Sequence, residues 1–193
     1  MTDVRQRLPA RERRVQIEDA AARLFASRGY EATTMDDIAA AVGVTKPIVY
    51  RHFASKKELH LFLLRRHRHE LAAAALDELA AAPERPIQER VRAMVAAWFA
   101  YVEREPYARL LFAQDSADPD VRALLDELHA LQRAADVALL RELAPHIPPA
   151  ELEPLGEALR SSLSGLAQWW LDHSEVRRET LVDAMVRIAL GLL

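Results

Sequence analysis

The sequence predicts an all-α protein of about nine helices, with a small N-terminal three-helix unit followed by a larger helical body. Three observations carry that reading. Only 5 of the 193 residues are glycine, and Ala, Leu, Glu and Arg, all good helix formers, are abundant. Apolar residues recur at helical spacing, and no stretch shows the sustained period-two alternation of a half-buried strand. Prolines stand where one periodic stretch gives way to the next, at Pro83 and Pro86, at Pro106, and at Pro145, Pro148 and Pro149.

Taken in order, helix one is expected from about Arg13 to Arg28, with Ile17, Ala20, Ala21, Leu24 and Phe25 on one face and Gly29 as its stop. Thr33 or Thr34 caps a short second helix, Met35 to Ala41. Gly43 lies in a three-residue turn, and Thr45 caps a third helix ending near Phe53. Ser55-Lys56-Lys57-Glu58 has the spacing of a capping box and opens a long fourth helix that Pro83 breaks. Ile87, Val91, Met94, Val95, Trp98, Tyr101 and Val102 mark a fifth. A short sixth covers Tyr107 to Ala113, and a polar loop covers Gln114 to Pro119. Val121, Leu124, Leu125, Leu128, Leu131 and Ala135 mark the seventh. Two more, about Ala150 to His173 and Glu175 to Leu193, complete the chain. The boundary between the small unit and the body is placed inside helix four, giving domains 11–71 and 72–193.

Composition narrows the function classes. With 51% hydrophobic and 28% charged residues the chain has the balance of a soluble globular protein. The absence of cysteine excludes disulfides, thiolate metal sites and a cysteine nucleophile. The longest apolar run, Ala93 to Val102, is ten residues, far short of a membrane span. No apolar stretch follows Arg5, Arg7, Arg11, Arg13 and Arg14 as a signal peptide requires, so a cytoplasmic location without membrane attachment is expected. Residues 1–69 hold 14 Lys and Arg against 8 Asp and Glu, a balance of +6, whereas residues 70–193 carry −9. A basic head on an acidic body suits a polyanion partner, although an uneven spread of solvated charge gives the same count.

Residues 34–53 carry the functional signal as a helix-turn-helix. Ala39 is small where two crossing helices approach, and Gly43 permits the positive φ of a tight turn. Ile38, Val42, Val44, Val49 and Phe53 supply contacts to helix one. Pro47 falls in a first helical turn, where its missing amide proton costs little. Thr45, Lys46, Ile48, Tyr50, Arg51 and His52 are left facing outward, a set suited to base edges and phosphates.

The run Arg13 to Arg66 resembles the DNA-binding domain of the tetracycline-repressor (TetR) family of bacterial regulators. The marks are Leu24-Phe25, Gly29-Tyr30, Thr34, Ile38-Ala39, Val42-Gly43-Val44, Tyr50-Arg51-His52-Phe53 and Ser55-Lys56-Lys57-Glu58-Leu59. The resemblance implies a homodimer on a pseudo-palindromic double-stranded operator, a ligand-binding and dimerisation body, and release from DNA by a small-molecule effector. It implies that Thr33 or Thr34 meets phosphate at the start of helix two, and that Thr45, Lys46 and Pro47 enter the major groove. Tyr50 and Lys56 would meet the backbone, Arg51 would lie on the same face, and His52 would touch phosphate or base. Lys46-Pro47 departs from the family's habit of Ser or Thr followed by a small residue, which points to an unusual operator. Ile48 packs on a thymine methyl or inside the head, and Arg5 to Arg14 form a DNA-contacting arm or a solvated tail.

No enzyme signature is present: Ser161, Ser162 and Ser164 lack a nucleophile elbow, and no glycine-rich phosphate loop occurs. His60, His67 and His69 lack a further convergent ligand, so surface histidines and no metal or cofactor are expected. Met94, Trp98, Tyr101, Phe112, Leu128, Gln132 and Trp169 are the candidates for lining a ligand pocket, with ordinary core as the alternative. Few charges fall on these faces, so a largely hydrophobic, uncharged or weakly polar ligand is expected. The last helix carries one apolar stripe, Leu181, Met185, Ile188 and Leu192, and a second about 100° away. With Leu159, Leu163 and Leu166 on the preceding helix, this surface is expected to form the dimer interface.

Overall fold

The computed structural model describes residues 9–112 and 118–192, the side chains of Arg109 and Leu192 excepted. Arg5 and Arg7, most of the Gln114–Pro119 loop, Leu193 and the Leu192 side chain therefore lie outside the described residues. Among those described there are nine α-helices and no strand: α1 (Ala10–Arg28), α2 (Met35–Val42), α3 (Lys46–Tyr50), α4 (Lys56–Ala80), α5 (Ile87–Arg104), α6 (Ala108–Leu111), α7 (Pro119–Leu143), α8 (Pro149–Asp172) and α9 (Arg178–Leu192). The chain packs as two compact units that divide within α4, between Leu64 and Arg65.

The first unit is built around Ile17, Ala21, Phe25, Ile38, Val49, Phe53, Leu59 and Leu63, each at most 1% exposed. Burying a side chain such as Phe25 or Ile38 stabilises by roughly 1.5–3 kcal/mol. Gly29 stops α1 with φ 84° and donates to the Phe25 carbonyl at 2.9 Å. Thr34 is the cap of α2. Its hydroxyl accepts from the Asp37 amide while the Asp37 carboxylate accepts from the Thr34 amide, a reciprocal capping box. At the other end of α2, Gly43 adopts φ 71°. Its amide bonds back to Ala40, and that of Val44 bonds to Ala39. This Schellman-type turn sets the angle to α3 and needs a left-handed residue. Ser55 and Glu58 close α4's start, the Ser55 hydroxyl accepting from the Glu58 amide and the Glu58 carboxylate from Ala54.

In the second unit α5 packs chiefly on α9, and α7 on α8. Val91, Val95, Phe99 and Val102 bury one stripe of α5. The facing stripe of α9 comprises Leu181, Val182, Met185, Val186 and Ala189, all at most 8% exposed. Exposed ion pairs Arg92–Asp183 (2.6 Å) and Arg178–Glu103 (2.7 Å) flank the seam. A smaller core of Leu140, Ala144, Ile147 and Leu152 joins the end of α7 to the start of α8.

Three expectations are corrected here. Leu181 and Met185 are not free for a partner subunit, because both are 1–2% exposed within a single chain. Both apolar stripes of α9 were needed by its own core, and Ile188, at 45%, is the exposed remainder. His60 and His67 are buried rather than superficial. His60 packs at a tilt against Tyr30 with ring centroids 4.4 Å apart, and His67 stacks on Tyr107 at 4.7 Å. Of the basic segment, Arg11, Arg13 and Arg14 belong to α1 rather than to an extended arm.

Candidate nucleic-acid interface and ligand cavity

The turn after Gly43 leaves the first residues of α3 outward. Thr45, Lys46, Pro47, Tyr50 and Arg51 are all exposed, while Val49 on the opposite side is fully buried. Thr45 is the residue before α3, but its hydroxyl makes no cap bond, which leaves it for an outside partner. Lys46 Nζ lies 2.7 Å from Asp36 Oδ2, and this pairing holds the ammonium charged above its usual range. Ile48 is half-buried.

Thr34 is exposed beside the first amides of α2, a place where backbone donors and the helix dipole favour an anion. Thr33 is not available. It is fully buried, its hydroxyl donating to the Gly29 carbonyl at 2.9 Å and the Leu24 carbonyl at 3.3 Å, so it ties α1 to the following loop. Lys56 is half-buried, with Nζ donating to the carbonyls of Tyr30 (2.8 Å) and Glu31 (3.3 Å) and lying 4.3 Å from the Tyr30 ring centroid. Its charge is already engaged by the loop between α1 and α2.

Arg14 was not singled out by sequence. Its guanidinium stands 4.3 Å from the Phe53 ring centroid and 4.9 Å from that of Phe62. It also bonds the Glu18 carboxylate at 2.9 Å and the His52 carbonyl, just beyond α3, at 3.3 Å. His52 itself is half-buried. Desolvation first, then the positive charges of Arg14, Arg51 and Arg13, lowers its pKa below the usual imidazole value.

The second unit holds a partly open cavity of about 210 Å³ between α4, α5, α7, α8 and the end of α9. Met94, Trp98 and Gln132 line it, as expected from sequence. Tyr101 does not: it is buried, with its hydroxyl 2.7 Å from His67 Nδ1 and donating to Glu70 at 3.1 Å. Phe112 stands behind the wall with its ring 5.5 Å from that of Trp98, and Leu128 is half-buried away from the cavity. Trp169 is 43% exposed and stacks on His173, whereas Trp170 is core, its indole donating to the Val176 carbonyl at 2.7 Å. Leu159 and Leu163, expected at a subunit interface, line the cavity instead, and Leu166 is half-buried.

Charged side chains also line it, contrary to expectation: Arg68, Asp136 and Arg160. A sequence signal for Arg68 exists, because it continues the buried α4 stripe of Leu64, Leu71 and Ala75 at helical spacing. The Asp136 carboxylate accepts from Gln132 at 2.8 Å, and burial raises its pKa. Arg160 is held by Glu157, and the hydrogen bonds it donates to that carboxylate raise its pKa further.

Comparison with known proteins fits both halves. The family model described as "Bacterial regulatory proteins, tetR family" matches residues 17–61, and "Tetracyclin repressor-like, C-terminal domain" matches residues 86–193. The chain is 33% identical over 189 residues to the HTH-type transcriptional activator FasR of Mycolicibacterium smegmatis, covering 96% of this chain and 84% of that one. Over 105 residues, 54% of this chain and 51% of the other, it is 36% identical to the HTH-type transcriptional repressor KstR2 of Mycobacterium tuberculosis. A TetR-like transcriptional regulator from Rhodococcus sp. RHA1 superposes with a TM-score of 0.76 at 25% identity, covering 96% of this chain and 98% of that one. Among the described residues no helix is long and apolar enough to cross a membrane. With a helix-turn-helix head, a helical body and matches to both family models, the chain belongs to the TetR family of bacterial transcription regulators, which are not enzymes.

Proposed function

We propose that the protein is a dimeric, ligand-controlled repressor that leaves its operator when a small molecule fills the cavity of the second unit. The observation that carries this reading is a single chain that offers an outward recognition helix in its first unit and a largely apolar cavity in its second. Thr45, Lys46 and Pro47 enter the major groove, and Tyr50, Arg51 and Thr34 bind the flanking backbone. Lys56 acts chiefly by holding the loop before α2. Two such helices reach successive grooves about 34–36 Å apart, which requires a two-fold dimer and a pseudo-palindromic site. The exposed remainder of α8 and α9, with Trp169, Ile188 and the half-buried Leu166, is the surface proposed to pair. Helix α4 contributes its first turns to the head and Arg68, Leu71 and Ala75 to the cavity wall, which makes it the element a ligand biases. By linkage, DNA then weakens ligand binding by the same factor as ligand weakens DNA binding.

Selection of bound fragments from random DNA, followed by titration at several salt concentrations, tests the reading. A pseudo-palindromic site, a steep salt slope and a large preference over random sequence are expected. Uniform affinity for all sequences would replace it with a non-sensing architectural role. Activation is the second reading, favoured because a relative matched along nearly the whole chain, FasR, is an activator. Transcription in vitro from a promoter carrying the selected site separates the two by sign.

A further inference from the structure

We infer that the cavity takes an apolar monocarboxylic acid, with its chain against the aliphatic wall and its carboxylate on the Arg68 guanidinium. The inference deepens the effector reading above and rests on it for the regulatory consequence, but not for binding itself. Most of the wall is hydrocarbon, with Leu71, Val91, Met94, Trp98 and Leu163 among its residues, which suits an apolar body.

The polar groups lining the cavity decide the head. Gln132 and Asp136 are bonded to each other at 2.8 Å. Arg160 is committed to Glu157. Arg68 has no such match. Its Nη2 donates to the Leu111 carbonyl at 3.3 Å and lies 3.3 Å from His129 Nε2, but no carboxylate pairs with it among the described residues. Its Nε is buried with no hydrogen-bond partner. His129 adds no negative charge, and burial together with the positive charges of Arg68, Arg160 and Arg133 keeps it neutral more readily than a free imidazole. A desolvated guanidinium with an unmet donor is costly, and its own pKa is pushed down by burial and by Arg160. A carboxylate in the cavity supplies the negative charge that no protein group gives this guanidinium, through the charge-assisted bonding that guanidinium favours. A neutral alcohol brings no charge, and an ammonium adds a third positive one. The size also bounds the ligand: 210 Å³ equals about seven water volumes of ~30 Å³, room for an acid of about eight carbons.

Titration calorimetry of the full-length protein without DNA, using octanoate, octan-1-ol and octylammonium, tests the inference. Octanoate is expected to bind at least tenfold more tightly than octanol, and octylammonium more weakly than either. Arg68→Met keeps an apolar stem and should bring octanoate to within about twofold of octanol while leaving octanol unchanged. Arg68→Lys should recover part of the preference. Equal binding of octanoate and octanol by the unaltered protein, no binding of any probe, or a folded Arg68→Met protein with octanoate affinity intact would each overturn the inference. If the Met variant does not fold, the comparison of the three probes on the unaltered protein decides alone. Octanoate held through Arg68 without any change in DNA affinity would keep the ligand site and remove its regulatory role, so the two readings fail separately.

Discussion

Removing the Arg14 side chain should loosen the DNA-binding head from inside rather than strip a charge from its surface. In Arg14→Ala two cation–π contacts disappear, at 4.3 Å to Phe53 and 4.9 Å to Phe62. At a half-exposed site each is worth about 0.5–1 kcal/mol. The bond to the His52 carbonyl, long at 3.3 Å, contributes about 0.5–1 kcal/mol. The larger consequence falls on Glu18, whose side chain is only 6% exposed and whose carboxylate loses a 2.9 Å partner. Breaking a fully buried pair costs about 3–5 kcal/mol. Arg14 is 40% exposed and Glu18 makes further interactions, so the low side of that range is the appropriate guide. Added together these contributions come to about 4.5–6 kcal/mol, a large share of the 5–15 kcal/mol that typically separates folded from unfolded protein.

Urea unfolding followed by far-UV circular dichroism measures this as a lower midpoint at unchanged slope. Trp98, Trp169 and Trp170 all belong to the second unit, so tryptophan fluorescence followed in parallel reports that unit alone. A double-mutant cycle with Glu18→Gln should give a coupling of about 1 kcal/mol or more, and Arg14→Lys should recover only part of the loss, because lysine lacks the planar fork that lies on two rings. Operator affinity should fall with its salt slope unchanged, since the Arg14 charge is used within the head. A midpoint within about 0.5 kcal/mol of the parent, or strict additivity with Glu18→Gln, would refute the pinning role.

Met185→Asp should lower the melting temperature before it changes the association state, because Met185 is 1% exposed within one chain and an unpaired carboxylate there is strongly disfavoured. Ile188→Asp, at a 45% exposed position, should instead raise the dissociation concentration in sedimentation with little change in melting; the reverse pattern would move the interface. Trp98→Ala should change ligand affinity with operator binding intact, and calorimetry that finds ligand binding unchanged would remove Trp98 from the site. Both His52 and His129 have folded pKa values below 6.5, caused first by burial and then by neighbouring guanidinium groups. Their stability contribution is therefore present above about pH 6.5 and lost as pH falls toward the folded values. Asp136, raised by burial, works in the opposite sense on the acid side, so the informative measurement is the difference between parent and a His52→Gln/His129→Gln variant. Its melting temperature should fall less between pH 8 and 5.5, and an unchanged fall would sink the assignment.

The head was legible because its constraints are local. Thr34 and Asp37, Gly29, Gly43 and Ser55 with Glu58 act on backbone groups within a few residues, and each sits where its chemistry requires. Outward residues of α3 followed from the same register. Spacing alone does not separate Thr33 from Thr34, since either side chain is able to cap. The structure separates them by a bond from Thr33 to Leu24, nine residues back. Arg14 escaped for the same reason: its partners Phe53 and Phe62 lie far along the chain, and a lone arginine on a basic segment reads as a solvated charge.

The body was legible in its helices but not in what each helix face meets. Periodicity reports that a face is apolar. It does not report whether the neighbour is another helix of the same chain, a cavity or a second subunit. Leu159 and Leu163 on α8 and Leu181 and Met185 on α9 have equivalent patterns, yet the first pair borders a void and the second fills a core against α5. The charged residues carry more information than the leucines. Arg68 follows Leu64 by four positions and precedes Leu71 by three, so it interrupts an otherwise apolar buried stripe. A core has no use for a guanidinium at such a position, because desolvation opposes it and a hydrocarbon packs better. Its presence on that stripe signals a polar demand inside the helical body, and the cavity that Arg68 lines is where that demand falls.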